Sequence, residues 1–204
     1  MVQVFDDLLP PTLVDRIERT ICNDQFQWFA LNNISLGGQP PKREFQFPEG
    51  YRYLETAGMT KPFWSFGKWY DPYDMYMMSR MIIDYVCEAK QIPMEQFIRS
   101  KANMLTPHPN QTYNNETCFH YPHIDFYNTH HVVVYYVNDS DGDTIIFNEK
   151  WNPSDDNGGV VPLTIKQRIS PKRGRIVYFD GLHYHTSQNP INTSERVILN
   201  LNFG

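Results

Sequence analysis

The chain has 204 residues, of which 41% are hydrophobic, 15% aromatic and 20% charged, with a formal net charge of −5. That length fits one domain, or a core with a helical extension, and the composition excludes a disordered chain. The acidic balance excludes a broad nucleic-acid-binding surface, which needs clustered Lys and Arg.

Residues 1 to 9 read as a short strand and turn, after which Leu13, Ile17 and Ile21 recur at helical spacing, predicting a helix near residues 11 to 23. Phe26, Trp28 and Phe29 continue as a strand. Residues 30 to 62 mix Gly, Pro and polar residues without a clear period and read as a long excursion. The aromatic run from Pro62 to Tyr70 packs a core or walls a cleft. Asp71-Pro72 makes a helix start, with Asp as N-cap and Pro at N1. Met75, Met78, Ile82, Tyr85, Val86 and Ala89 form the apolar stripe of that second helix.

From Ile98 onward the chain turns to β-branched and aromatic strands separated by polar turns. Strands are expected near 98–106, 117–124, 131–138, 143–148, 161–168, 174–180, 183–187 and 195–203. Eight short strands with no helix between them favour two packed antiparallel sheets or a barrel, as in the cupin-like jelly roll. The expected architecture is therefore mainly β, with residues 1–97 as a helical and irregular support and 98–204 as the core. Residues 148–159 break the strand rhythm and read as a surface loop or a flap.

Cys22, Cys87 and Cys118 lack a Cys-x-x-Cys spacing, so reduced thiols are expected rather than a disulfide framework or a zinc site. The first residues carry no basic segment leading into an apolar one, and no apolar run approaches membrane-spanning length. The expectation is a soluble cytoplasmic protein with no membrane partner.

Two histidine clusters carry the chemistry. In His123-x-Asp125 the period of two in an extended chain turns one imidazole and one carboxylate to the same face. Standing alone, that pair reads as a structural hydrogen bond. The second cluster, His183-Tyr184-His185, is followed by Arg196 in the terminal strand. Two His and one Asp make the facial triad that holds non-haem Fe(II) with open positions, and Arg supplies a fixed partner for a carboxylate.

At this point the sequence resembles the Fe(II)/2-oxoglutarate-dependent oxygenases, in particular their prolyl-4-hydroxylase-like branch and its small phage-type members. The matching order is His123-x-Asp125, Tyr135-Tyr136-Val137-Asn138, Gly142-Asp143-Thr144, the 174–179 strand, His185 and Arg196, over roughly residues 98 to 203. The resemblance implies a double-stranded β-helix and Fe(II) held by His123, Asp125 and His185. It also implies that 2-oxoglutarate chelates the metal, with its far carboxylate on Arg196, and that O2 is the oxidant. Tyr136 is the first candidate for a hydroxyl beside that carboxylate, with Tyr113 and Asn103 as weaker ones. His123, Asp125, His185 and Arg196 form the expected catalytic set, with Lys166 and Arg168 the next cations should Arg196 fail.

His183 and His185 both point inward by period, and the distance to Arg196 in the family favours His185 as ligand. His183 and Trp151 are then expected to face substrate. His108, His120, His130 and His131 are placed at the site mouth or surface, and Thr144 is read as a strand start. The implied reaction couples 2-oxoglutarate decarboxylation to hydroxylation of a C–H bond, in a prolyl or other residue of a peptide or in a small molecule such as an amino acid or sugar. A jelly-roll binding module without catalysis is the competing class, and the full His, Asp, His and Arg set counts against it.

Overall fold

The computed structural model of the chain describes residues 1–35, 43–70, 73–110, 113–153 and 159–204. The first half begins with β1 (Gln3–Phe5) and α1 (Pro11–Ile21). Pro11 opens α1, where a missing N–H costs no hydrogen bond. Leu13, Val14, Ile17 and Ile21 then fall on one buried face of the helix.

Five strands follow: β2 (Phe29–Leu31), β3 (Phe45–Gln46), β4 (Arg52–Tyr53), β5 (Gly58–Ser65) and β6 (Lys68–Trp69). The end of the expected excursion thus belongs to an eight-residue strand, β5, that pairs with its neighbours on both sides. Pro62 hid it from a periodic reading, and the ladder accommodates that residue at an irregularity between Pro62 and Trp64.

The second helix, α2 (Tyr73–Lys90), buries Met75, Met78, Ile82, Ile83, Val86 and Cys87. Its buried face is turned slightly from the expected stripe, because Ile83 and Cys87 pack inward while Ala89 is exposed. The expected Asp71-Pro72 start lies outside the described residues.

The remaining strands are β7 (Phe97–Leu105), β8 (Cys118–Phe119), β9 (His131–Tyr136), β10 (Thr144–Lys150), β11 (Val161–Pro162), β12 (Ile165–Ile169), β13 (Ile176–Asp180), β14 (His183–Ser187) and β15 (Arg196–Phe203). The single strand expected at 161–168 is two, with β11 pairing alone to β3. The strand expected at 117–124 shrinks to β8 and an isolated bridge between His123 and His185.

One large sheet runs β1-β13-β9-β15-β7-β5-β2, with β6 paired to β5. A smaller sheet runs β12-β10-β14, extended at β14 by the chain through His123. From β7 to β15 the chain passes repeatedly between the two sheets, which gives a mainly β, jelly-roll architecture with helices on one side.

Strand alternation explains the layers. On β9, Val132, Val134 and Tyr136 face the inter-sheet core with Ile146, Ile169, Val177, Phe179 and Ile198. The opposite faces of β9 and β15, with Val133, Tyr135, Leu199 and Leu201, pack under α1 and α2. The outer face of the smaller sheet, with Phe119, Ile145, Phe147 and Tyr184, is covered by Phe45, Phe47 and Tyr51 of the excursion. Cys22, Cys87 and Cys118 are free thiols. Among the described residues no helix is long and apolar enough to cross a membrane.

Candidate active site

The inner faces of β7, β9, β10, β14 and β15 enclose a cavity lined by His123, Asp125, Thr144, His185, Arg196 and Asn200 among others. His123 and His185 exchange backbone hydrogen bonds, both at 3.0 Å, which brings their rings to 4.6 Å. Each ring is oriented through Nδ1, which lies 3.2 Å from Tyr121 O in His123 and 3.0 Å from His183 O in His185. Donation from Nδ1–H to those carbonyls leaves Nε2 as the lone-pair nitrogen, the arrangement that metal-binding histidines use.

His185 Nε2 is buried without a hydrogen-bond partner and lies 4.0 Å from Asp125 Oδ2. One ligand atom each from His123, Asp125 and His185 falls within 4.8 Å of the others, and among the described residues no second such group occurs. Two imidazole nitrogens and one carboxylate, with a buried nitrogen left unsatisfied, fit a divalent transition metal.

The electrostatics favour that use. Burial pulls the His123 imidazole down to about 4, with His185 adding to the shift, and burial lowers His185 as well. Both rings are neutral at neutral pH, the form that binds metal. Burial alone would raise Asp125, yet Arg99 first, then His185, outweighs it and holds the carboxyl well below the usual range. Arg99 Nη2 donates to Asp125 Oδ1, while Asn200 and Asn202 donate to Oδ2 at 3.1 and 2.8 Å.

At the far end of the cavity stands Arg196, buried, on the same inner face of β15 as Asn200. They stand four positions apart, roughly 13 Å along the strand. Arg196 Nε donates to Gly142 O at 2.7 Å and Nη2 to Thr144 Oγ1 at 2.7 Å. A Cβ on Gly142 would lie 2.5 Å from Gln188 O, so only glycine fits where its own carbonyl accepts from the guanidinium. Among the described residues Arg196 has no carboxylate partner.

The other expected residues divide. Tyr136 is fully buried behind the cavity wall, its hydroxyl 2.7 Å from Thr144 Oγ1 and 3.1 Å from Ile169 O. Thr144, which accepts from Arg196, lines the cavity itself. Asn103 lines the cavity, with Oδ1 accepting from Thr60 Oγ1 at 2.9 Å. Tyr113 lies off the wall, where its hydroxyl accepts from the Asn189 N–H at 2.9 Å.

His183 is buried with Nδ1 2.9 Å from Phe147 O, outside the three-ligand group. Trp151 packs edge-on against Tyr127 at 5.0 Å, away from the cavity lining. Arg168 donates to the carbonyls of Asn115 and Glu116. The flap expected at 148–159 is split: β10 runs to Lys150, and 154–158 lie outside the described residues.

His120 and His130, expected at the mouth or surface, are buried instead. His120 Nδ1 lies 3.5 Å from Glu55 Oε2, so the excursion covers it. The His130 ring stacks over Gly181, where a Cβ would lie 2.1 Å from Nε2. Sequence reasoning also missed Arg99, Lys101, Thr144, Asn200 and Asn202. The signal was present: Arg99-x-Lys101-x-Asn103 and Arg196-x-Ile198-x-Asn200-x-Asn202 put polar groups on one face of strands whose other face is apolar or small.

No family model and no curated protein matches the chain. Solved structures do. An oxidoreductase of the 2OG-Fe(II) oxygenase family from Burkholderia pseudomallei superposes with a TM-score of 0.61 at 10% identity, covering 99% of this chain and 84% of that one. A Pseudomonas putida prolyl-4-hydroxylase gives 0.55 at 15% identity over 99% and 91%. The non-heme alpha ketoglutarate dependent epimerase SnoN from nogalamycin biosynthesis gives 0.61 at 9% identity over 99% and 77%. The chain therefore has the fold of the 2OG-Fe(II) oxygenases.

Proposed function

We propose that the chain is an Fe(II)- and 2-oxoglutarate-dependent dioxygenase that hydroxylates a C–H bond. The observation that carries this reading is the convergence of His123, Asp125 and His185 within 4.8 Å, in a cavity whose opposite end holds the buried Arg196. His123, Asp125 and His185 would hold the iron on one face and leave neighbouring positions open. Arg196 and Thr144 would take the far carboxylate of 2-oxoglutarate, and Tyr136 braces Thr144 from behind. When bound, Fe(II), 2-oxoglutarate and O2 supply the oxidising chemistry, with succinate and CO2 as coproducts. Val134 and Ile198 supply apolar wall between the two ends.

The substrate reading is a prolyl or other residue of a peptide. What supports it is the pair of aromatics that follows His123-x-Asp125 in the chain: Phe126 meets Phe66, 67% exposed, edge-on at 5.4 Å, and Tyr127 is itself 51% exposed. Exposed aromatic faces in that segment suit an apolar ring. A small-molecule substrate is the second reading; the structurally similar SnoN is named as an epimerase from nogalamycin biosynthesis.

The test is succinate formation from 2-oxoglutarate with added Fe(II), first alone, then with proline-containing peptides, free amino acids and sugars. Turnover undiminished by a chelator would sink the proposal. Stimulation by amino acids or sugars but not peptides would move the substrate to the second reading.

A further inference from the structure

β7 presents Arg99, Lys101 and Asn103 to the interior, while Ser100 bonds Ser79 of α2 and Ala102 packs under the helices. Two of the three inward residues are committed. Arg99 is held by Asp125, by Asn202 Oδ1 at 3.1 Å and by the Phe126 ring at 4.6 Å. Asn103 is held by Thr60. Lys101 lines the same cavity, and its Nζ has no hydrogen bond or ion pair among the described residues.

Lys101 is part-buried, and an ammonium drawn even partly out of water without a partner is disfavoured. Burial pulls Lys101 down to about 8, with Arg99 adding to the shift and Asp125 opposing it, so the group is still mostly charged at neutral pH. Its position is fixed by register. Lys101 pairs with Asn200, whose amide touches Asp125, whereas Arg196 pairs with Leu105. Lys101 therefore stands at the metal end and Arg196 at the other. Among the described residues, two cations of the cavity lack a carboxylate partner, one at each end, and a dicarboxylate satisfies both.

We propose that Lys101 binds the metal-proximal carboxylate of the dicarboxylate cosubstrate, so that the ligand is clamped by a cation at each end. This rests on the 2-oxoglutarate reading above. Arg196 alone recognises one carboxylate; Lys101 makes the cavity select a ligand with two.

Calorimetric binding of glutarate and butyrate to the metal-free protein tests this, because the two ligands differ by one carboxylate. Glutarate should bind wild-type protein roughly tenfold to a hundredfold more tightly, the value of a charge-assisted contact. Lys101→Met should lose most of that preference, and Lys101→Arg should keep part of it. Equal affinities in wild-type protein, or an unchanged preference in Lys101→Met, would overturn the inference. The wild-type comparison needs no variant to fold. Binding of 2-oxoglutarate to Mn(II)-loaded wild-type protein separates the two levels. If it binds there while the glutarate preference survives in Lys101→Met, only the role of Lys101 fails; if it does not bind at all, the cosubstrate reading falls as well.

Discussion

Thr144→Val removes one oxygen and keeps the shape of the side chain, so its effect isolates the hydroxyl. In the native protein Thr144 Oγ1 accepts from Arg196 Nη2 at 2.7 Å and lies 2.7 Å from Tyr136 Oη. Tyr136 has a second acceptor, Ile169 O at 3.1 Å, and loses little. Arg196 loses its 2.7 Å acceptor and keeps only the Tyr136 hydroxyl in reach, so its buried Nη2 is poorly satisfied. An unsatisfied buried donor costs roughly 1 to 3 kcal/mol, more for a charged group. Without ligand, Thr144→Val should therefore be destabilised by about 2 kcal/mol in urea unfolding. With 2-oxoglutarate, the freed Nη2 gains the carboxylate while the ligand loses the threonine hydroxyl. Affinity should then fall by only about tenfold or less. Tyr136→Phe is the control, because Thr144 still receives Arg196; its cost should stay near or below about 1 kcal/mol, with 2-oxoglutarate affinity little changed. If Tyr136→Phe weakens 2-oxoglutarate more than Thr144→Val does, the tyrosine hydroxyl contacts the ligand and the assignment of Thr144 is wrong.

Arg196→Ala should weaken 2-oxoglutarate by roughly 2 to 5 kcal/mol while metal content is retained, and unchanged affinity in titration would require another cation. His185→Ala should lose iron after anaerobic loading while His183→Ala keeps it; the reverse would transfer the ligand role to His183. Gly181→Ala should be destabilised by roughly 1 to 3 kcal/mol or fail to fold, because the methyl group meets the His130 ring, and a wild-type melting temperature would refute that packing. For acid stability, the folded protein holds His123 near 4 against an ordinary value of 6.5, so the unfolded chain binds the proton more readily. The stability of the metal-free protein should fall as pH drops from about 6.5 to 4, by roughly 3 kcal/mol from this group. A His123→Ala variant with an equally steep acid slope would show that the loss arises elsewhere.

Most of the architecture was legible from local rules. Leu13, Ile17 and Ile21 mark a helix because 3.6-residue spacing puts them on one face, and the β-branched runs after Ile98 mark strands because side chains alternate. The same alternation sets Arg196 with Asn200 on β15. These relations lie within one element, so neighbouring residues decide them.

What tertiary structure decided lies between elements. Whether His183 or His185 meets His123 depends on the pairing of β14 with a segment 60 residues away. Whether Tyr136 or Thr144 lines the cavity depends on how β9 and β10 pack face to face. The strand β5 was hidden because Pro62 breaks its period, and it forms because β7 and β2 supply ladders on either side. His120 looked like a surface residue until the excursion laid Glu55 against it. Lys101 was one charged residue among 18 Lys and Arg in the sequence. The register of β7 on β15 placed it level with Asp125, because alternation fixes which face a side chain takes but long-range pairing fixes what it meets there.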